Sequence, residues 1–206
     1  MWNFDATSSA LLVVDMQRDF VEEGRPMEVP MARARIPQMR QLVDGARGAG
    51  VPVIFTQHVL YDSFNVSPLE TANNQLLLTE GMRDGTDGIE IVDGLDARAE
   101  DHYVRKHRYD AFYNTNLEVL LNTVRGYRTV DTLVIAGTLT EVCCESTARS
   151  AFMRDFKVAF AGESTGALSE TAQSATLDAI TRYFGRVLSN AEILQGFTDG
   201  ATEARR

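Results

Sequence analysis

One segment in the second half of the chain places a cysteine shortly after a buried strand and a tight turn. A β-branched apolar run over residues 132–136 leads into a Thr-rich turn, and Cys143 lies at the start of a helix predicted over 142–154. The first N–H groups of a helix have no partner within it, and the helix dipole favours negative charge there. A thiol in this position can have its pKa lowered and act as a nucleophile, while the N–H groups stabilise an oxyanion. The segment therefore indicates a cysteine-dependent hydrolase.

The rest of the chain alternates between short apolar runs and segments with helical spacing of apolar residues. Strands are predicted over residues 10–14, 51–56, 103–106, 132–136, 157–161 and 186–188, and helices over 31–49, 116–124, 142–154, 169–183 and from Asn190, with Ser169 and Asn190 as caps. Residues 62–101 lack strong periodicity and are predicted to form a long excursion with at most short elements. Residues 198–206 are predicted to be a frayed tail.

This alternation, without a repeat or a linker, predicts one domain over residues 1–206. The expected fold class is α/β, with a doubly wound, mostly parallel β-sheet and helices on both faces. Such an arrangement has three layers of the Rossmann type. Its ligands bind at the carboxyl ends of the strands, so polar residues at those ends are the candidates for a site.

Charge and cysteine content narrow the classes of partner and compartment. The 206 residues include 20 Lys and Arg against 29 Asp and Glu, a net charge of -9, which disfavours nucleic acid and anionic membranes as partners. No signal-peptide pattern or apolar run of membrane-spanning length is found, so a cytoplasmic location is expected. The only two cysteines, Cys143 and Cys144, are adjacent and do not form a disulfide framework.

Three residues with reactive side chains fall at predicted strand ends: Asp15, Lys106 and Cys143. Asp15 suits a general base that takes the thiol proton and later protonates the leaving amine. Lys106, beside a carboxylate and a thiol, would support both anions. The alternatives are a carboxylate satisfied by loop N–H groups and an ordinary solvated lysine. Their shared position at strand ends favours a common site.

The neighbouring cysteines and the three histidines raise two further questions. The helix-start position predicts that Cys143 is the exposed cysteine and that Cys144 turns toward packing. His102 and His107 lie on opposite faces of a predicted strand, and His58 has no second histidine nearby and no aspartate two residues before it. These spacings make a poor metal site, so no metal and no cofactor are predicted.

Three motifs in fixed order carry a family resemblance. They are Leu12-Val-Val-Asp-Met-Gln-Arg-Asp-Phe20, Arg105-Lys-His-Arg-Tyr-Asp-Ala-Phe112 with Asn114-Thr-Asn-Leu117, and Gly137-Thr-Leu-Thr-Glu-Val-Cys-Cys-Glu-Ser-Thr-Ala-Arg149. From about residue 10 to 194 the chain resembles the isochorismatase-like cysteine hydrolases. The resemblance implies a catalytic triad of Asp15, Lys106 and Cys143.

The resemblance also implies a cis peptide between Thr138 and Leu139. Its expected purpose is to aim the Leu139 N–H, together with that of Cys143, at the oxyanion. One departure from the family is Glu163 after the fifth strand, where an aspartate is common. We expect Glu163 to be structural.

The thiol distinguishes among members of this family. Isochorismatases proper cleave a vinyl ether without a thiol, so Cys143 points to the amidohydrolases. Nicotinamidases carry an Asp-x-His metal set after the second strand, where this chain has Thr56-Gln-His58. The segments 113–117 and 144–147 are most similar to ureidoacrylate, biuret and N-carbamoyl amidohydrolases. The predicted substrate is therefore a small ureido, carbamoyl or primary amide, hydrolysed through a thioester.

Other functions remain open from the sequence. They are an isochorismatase-type or nicotinamidase-type hydrolase and a non-catalytic scaffold member of the same fold. His58, Tyr61 and Phe112 follow predicted strands toward the same crevice and are candidate substrate contacts, with core packing as the alternative for Phe112.

Apolar residues in the 62–101 excursion and the terminal helix exceed what one small domain is expected to cover. They are Leu76, Leu77, Leu78, Ile89, Ile91, Val92, Ile193 and Leu194. Apolar surface of this kind is commonly buried between subunits, which predicts a homodimer or homotetramer with the excursion near the interface. The alternative is that these side chains fold back onto their own sheet.

Overall fold

A six-stranded sheet forms the centre of a computed structural model that describes residues 2–62 and 65–203. The strands are β1 (Ser9–Val14), β2 (Val53–His58), β3 (His102–Lys106), β4 (Thr132–Thr138), β5 (Lys157–Gly166) and β6 (Arg186–Leu188). Their order in the sheet is β3-β2-β1-β4-β5-β6, and each neighbouring pair is parallel. The doubly wound α/β fold predicted from the sequence is confirmed.

Helices cover both faces of this sheet. They are α1 (Arg18–Val21), α2 (Pro30–Ala34), α3 (Ile36–Gly48), α4 (Pro68–Asn73), α5 (Leu117–Thr123), α6 (Glu145–Phe152), α7 (Glu170–Ala179) and α8 (Asn190–Glu203). Alternate residues of a strand point to opposite faces. Leu11 and Val13 of β1 accordingly pack with α3 and α8, whereas Leu12 and Val14 pack with α5 and α6. Two apolar layers thus hold β1 at the centre of the sheet.

Two predicted helices differ from the structure for identifiable reasons. The segment predicted as one helix over 31–49 forms α2 and α3, because Pro37 in the first turn of α3 lacks the N–H that would continue α2. The expected frayed tail is wrong for residues 198–203, which continue α8. Buried Ile193 and Phe197 dock that helix on the sheet. The rest of the tail, residues 204–206, lies outside the described residues.

The two predicted helix caps have different outcomes. The Ser169 hydroxyl accepts a hydrogen bond from the Ala172 N–H at 3.1 Å and caps α7, as predicted. The Asn190 side chain instead bonds Ser164 and a carbonyl of α3. Ser189 and Glu192 cap α8 reciprocally, each side chain accepting from the backbone N–H of the other.

The long excursion between β2 and β3 contains only short elements, as predicted. They are α4 and three 3₁₀ turns over Gln75–Leu78, Asp87–Ile89 and Asp93–Leu95. Most of the apolar side chains assigned to an interface are buried within the chain: Leu77, Ile89, Ile91, Val92 and Ile193. Leu76 and Leu78 stay exposed, at 47% and 60%. The apolar excess inferred from composition is therefore much smaller than expected.

Among the described residues, no helix is long and apolar enough to cross a membrane.

Candidate active site

The carboxyl ends of two strands bring a carboxylate and an ammonium group together. Asp15 follows β1 directly, and Lys106 is the last residue of β3, with β2 between them. Both side chains are fully buried, and Lys106 Nζ lies 2.7 Å from Asp15 Oδ2. Burial would lower the pKa of Lys106, but the Asp15 carboxylate, with Cys143 beside it, outweighs burial and raises that pKa. The Lys106 ammonium therefore keeps its charge in the interior.

Two polar residues outside the predicted site hold this arrangement in place. Thr56 near the end of β2 donates its hydroxyl to Asp15 Oδ1 at 2.6 Å and accepts from the Asp15 N–H at 3.0 Å. The Gln17 amide bonds both the N–H and the carbonyl of His58, at 2.7 and 3.0 Å. Thr56 could have been identified from the sequence, because it ends a predicted strand that is expected beside β1. Gln17 lies inside the first motif.

The cysteine segment is an elbow whose start depends on a glycine. Gly137 in β4 has φ +118°, and a Cβ there would lie 2.1 Å from the Val14 carbonyl oxygen. Only glycine therefore lets the ends of β1 and β4 approach so closely. The next peptide, Thr138–Leu139, is cis, as the resemblance implies. These features place the elbow beside the end of β1.

The helix expected over 142–154 begins with a wider turn than predicted. Thr140–Cys144 form a π-helical turn, and regular α6 starts at Glu145. Cys143 therefore lies in that turn and not in the first turn of an α-helix. The Leu139 N–H acts to lower the pKa of Cys143, so one of the two predicted oxyanion donors lies on the side of the thiol.

The thiol lies against the ion pair, but it is neither exposed nor acidic. Atoms of Cys143, Asp15 and His58 lie within 4.8 Å of one another, and Cys143 is 3% exposed. Burial, together with the Asp15 carboxylate, raises the pKa of Cys143 to about 12, although Lys106 and the Leu139 N–H act in the opposite direction. The predictions of an exposed Cys143 with a lowered pKa are therefore wrong. The Cys143 thiol therefore keeps its proton in the resting site, beside the Asp15 carboxylate.

Cys144 and Glu163 have the structural environments expected for them. Cys144 is fully buried in the apolar layer around α6. Glu163 accepts a hydrogen bond from the Asn190 N–H at 2.9 Å and so stabilises the start of α8.

His58 is the predicted substrate contact that lies within the site. It is 2% exposed, and its Nδ1 is 3.5 Å from Lys106 Nζ. Burial, followed by the positive charge of Lys106, lowers the pKa of His58 well below its ordinary value. The imidazole is therefore neutral near pH 7.

The other two predicted contacts lie away from the ion pair. The Tyr61 ring packs edge-on against His107 at 5.5 Å, and its hydroxyl accepts from Arg105 at 3.3 Å. Phe112 is 6% exposed, with Phe156 at 5.9 Å from its ring. The structure favours packing for Phe112, because its ring turns back into the layer of α5 and α6.

A carboxylate, an imidazole and a thiol are a donor set that could hold a divalent cation. In this site, however, the Lys106 ammonium lies 2.7 Å from the carboxylate and 3.5 Å from the imidazole. A second cation in the same space would be repelled by it. The residues present thus suit a lysine-containing triad better than a metal centre.

Comparison with known proteins agrees with this geometry. The isochorismatase domain family matches residues 9–192. The chain belongs to this family. It is 32% identical over 201 residues to the ureidoacrylate amidohydrolase RutB of Rhizobium rhizogenes, covering 88% of this chain and 80% of that protein. It is also 32% identical over 172 residues to nicotinamidase 3 of Arabidopsis thaliana, covering 82% and 78%.

A solved relative extends the agreement to the whole fold. The crystal structure of a cysteine hydrolase from Pseudomonas syringae superposes with a TM-score of 0.88 at 26% identity, covering 95% of each chain. The chain is thus a member of the isochorismatase-like cysteine hydrolases.

Proposed function

We propose that this protein is an amidohydrolase for a small ureido, carbamoyl or primary-amide substrate, with Asp15, Lys106 and Cys143 as its catalytic residues. The observation that carries the proposal is the contact of the Cys143 thiol with the buried Asp15–Lys106 ion pair. The likeness to a ureidoacrylate amidohydrolase supports the ureido and carbamoyl class.

The raised thiol pKa sets the order of the first steps. Cys143 Sγ attacks the substrate carbonyl carbon while its proton passes to Asp15, so no free thiolate has to accumulate. The Leu139 N–H, which lies on the side of the thiol, stabilises the oxyanion together with the Cys143 N–H. Lys106 stabilises the negative charge that moves between the carboxylate and the sulfur.

Collapse of the tetrahedral intermediate completes acylation. The C–N bond breaks, Asp15 returns its proton to the leaving nitrogen, and ammonia or an amine departs. Asp15 then takes a proton from water as the hydroxide attacks the thioester carbon. The C–S bond breaks and the proton returns to Cys143.

A surface cavity of ≈ 360 Å³ lies at the loop after Lys106, where the Lys106 ammonium donates to the Arg108 carbonyl at 2.9 Å. Its lining includes Tyr109, Tyr113 and Arg108, and it reaches Ser146 on the helix that follows Cys143. Burial, followed by Glu70 and Cys143, raises the pKa of Tyr109. Aromatic walls with a few polar groups suit a flat, polar amide.

The test is ammonia release from ureidoacrylate, N-carbamoylglycine, biuret and nicotinamide. We expect the wild type to hydrolyse at least one ureido or carbamoyl compound and Cys143→Ala to hydrolyse none. Cys144→Ala is the matched control, because it removes a neighbouring buried thiol but leaves the nucleophile. Near-native turnover by Cys143→Ala would refute the mechanism. Release from nicotinamide alone, with metal bound to protein purified without chelator, would favour the nicotinamidase alternative.

We also propose a homodimer or homotetramer. This proposal is supported by three exposed leucines on α4 and the following turn. The exposed fractions of Leu69, Leu76 and Leu78 are 79%, 47% and 60%. Light scattering at micromolar concentration should give a multiple of 22.8 kDa, and a mass near 22.8 kDa would refute this.

A further inference from the structure

His58 carries one buried polar atom that the proposed mechanism does not use. Its Nε2 is inaccessible to solvent and has no hydrogen-bond partner among the described residues. Buried polar groups in folded proteins are nearly always paired, so such an atom inside a site indicates a ligand. The imidazole is not loosely held, because Gln17 fixes the backbone of His58 from both sides.

The neighbour on the other ring nitrogen sets the tautomer. Lys106 Nζ, 3.5 Å from Nδ1, is an ammonium that can only donate. Nδ1 must therefore offer its lone pair, which places the single proton of the neutral ring on Nε2. The remaining groups near the ring are the charged Arg108, His107, the Asp15 carboxylate and the Cys143 thiol. Nε2–H is thus a buried donor that cannot serve as a base.

We propose that the His58 Nε2–H binds an acceptor atom of the substrate other than the scissile carbonyl oxygen. The Leu139 N–H is already assigned to the oxyanion, which forms on the scissile carbonyl oxygen when the sulfur attacks. A second acceptor next to the scissile carbonyl is present in ureides and carbamoyl amino acids and absent from simple aliphatic amides. His58 is therefore a specificity-determining residue, and this inference rests on the proposed amidohydrolase function.

Two substitutions of His58 distinguish the roles of its two ring nitrogens. A glutamine side chain can place an amide nitrogen near the position of Nε2, whereas an asparagine side chain reaches only the position of Nδ1. On N-carbamoylglycine, His58→Asn should lose about tenfold in kcat/KM, mainly through KM, and His58→Gln should retain most of it. The ratio of kcat/KM on N-carbamoylglycine to kcat/KM on acetamide should therefore fall about tenfold in His58→Asn and by less than about twofold in His58→Gln. His102→Gln, at the opposite end of β3, is the control.

Three outcomes overturn the inference. If both variants lost the same kcat/KM, or if His58→Gln lost more, the contact of Nδ1 with Lys106 would be the functional one. Equal losses on both substrates would assign the donor to the scissile oxygen. Failure of the wild type to hydrolyse any amide would instead refute the proposed function.

Nuclear magnetic resonance tests the donor without relying on activity or on variants that fold. The chain has only three histidines, so their ring nitrogens can be assigned. We expect one imidazole to stay neutral through the pH range in which an ordinary histidine titrates, with its proton on Nε2. A proton on Nδ1, or protonation of this ring near pH 6.5, would refute the inference.

Discussion

The hydroxyl of Thr56 offers the sharpest test of how the Asp15 carboxylate is held in the proposed active site. Thr56→Val keeps the shape of the side chain and removes only its hydrogen-bonding group. Two contacts are lost: the 2.6 Å bond to Asp15 Oδ1 and the 3.0 Å bond from the Asp15 N–H. Both groups are fully buried, so water cannot replace these bonds without a rearrangement.

The expected magnitude follows from these two contacts. A hydrogen bond to a charged group contributes about 1.5–3 kcal/mol, and an unpaired buried N–H costs about 1–3 kcal/mol. The extra methyl group of valine offsets about 0.8 kcal/mol. The free energy of unfolding should therefore fall by about 2–5 kcal/mol, measured by urea denaturation. Because the carboxylate loses its orientation, kcat should also fall by about 10- to 100-fold.

Thr132→Val is the matched control. Thr132 is also fully buried on a central strand, and its hydroxyl donates to a carboxylate, that of Asp131, at 2.7 Å. It begins β4, at the opposite end of the sheet from the site, so its loss should affect stability and leave kcat unchanged. If Thr56→Val kept the wild-type kcat, or if Thr132→Val lost as much activity, the positioning role of Thr56 would be wrong.

Three further predictions follow from the site. Lys106→Met leaves a buried carboxylate unpaired and should lower the free energy of unfolding by about 3–5 kcal/mol in urea denaturation. Lys157→Met breaks a half-exposed pair of the same 2.7 Å length and should cost at most about 1 kcal/mol, so equal losses would contradict the burial argument. Alkylation of Cys143 by iodoacetamide, followed by mass spectrometry, should be slow at pH 7 and should accelerate as the pH approaches the thiol pKa of about 12. The reason is that the thiolate fraction rises tenfold per pH unit below the pKa. Rapid labelling at neutral pH would show that the thiol is acidic. Phe112→Ala should lower the free energy of unfolding by about 3–5 kcal/mol with KM unchanged, and a raised KM at native stability would make the ring a substrate contact.

The sequence alone determined the order of the elements and which residues end the strands. Apolar runs and helical spacing depend on local chemistry, so they predict β1, β4, β6, α5 and the doubly wound sheet. Since the ends of parallel strands share one edge, Asp15, Lys106 and Cys143 could be assigned to one site before any distance was known.

Local pattern was also enough to predict the role of two single residues. Ser169 caps α7, and Cys144 packs into the apolar layer. Both outcomes depend on neighbours close in sequence or on the period of a helix. For the same reason a proline that interrupts a helix, such as Pro37, was visible in the sequence and could have been read from it.

Only the tertiary structure decided the protonation state of Cys143 and which polar residues hold the site in place. The pKa of Cys143 depends on how completely water is excluded and on a carboxylate 128 positions away in the chain, and neither is encoded in the helix-start pattern. Thr56 meets Asp15 across 41 residues, and Gln17 meets His58 across the same separation. Such contacts arise when the strands pair, because desolvation and long-range distances are properties of the packed molecule and not of any one segment.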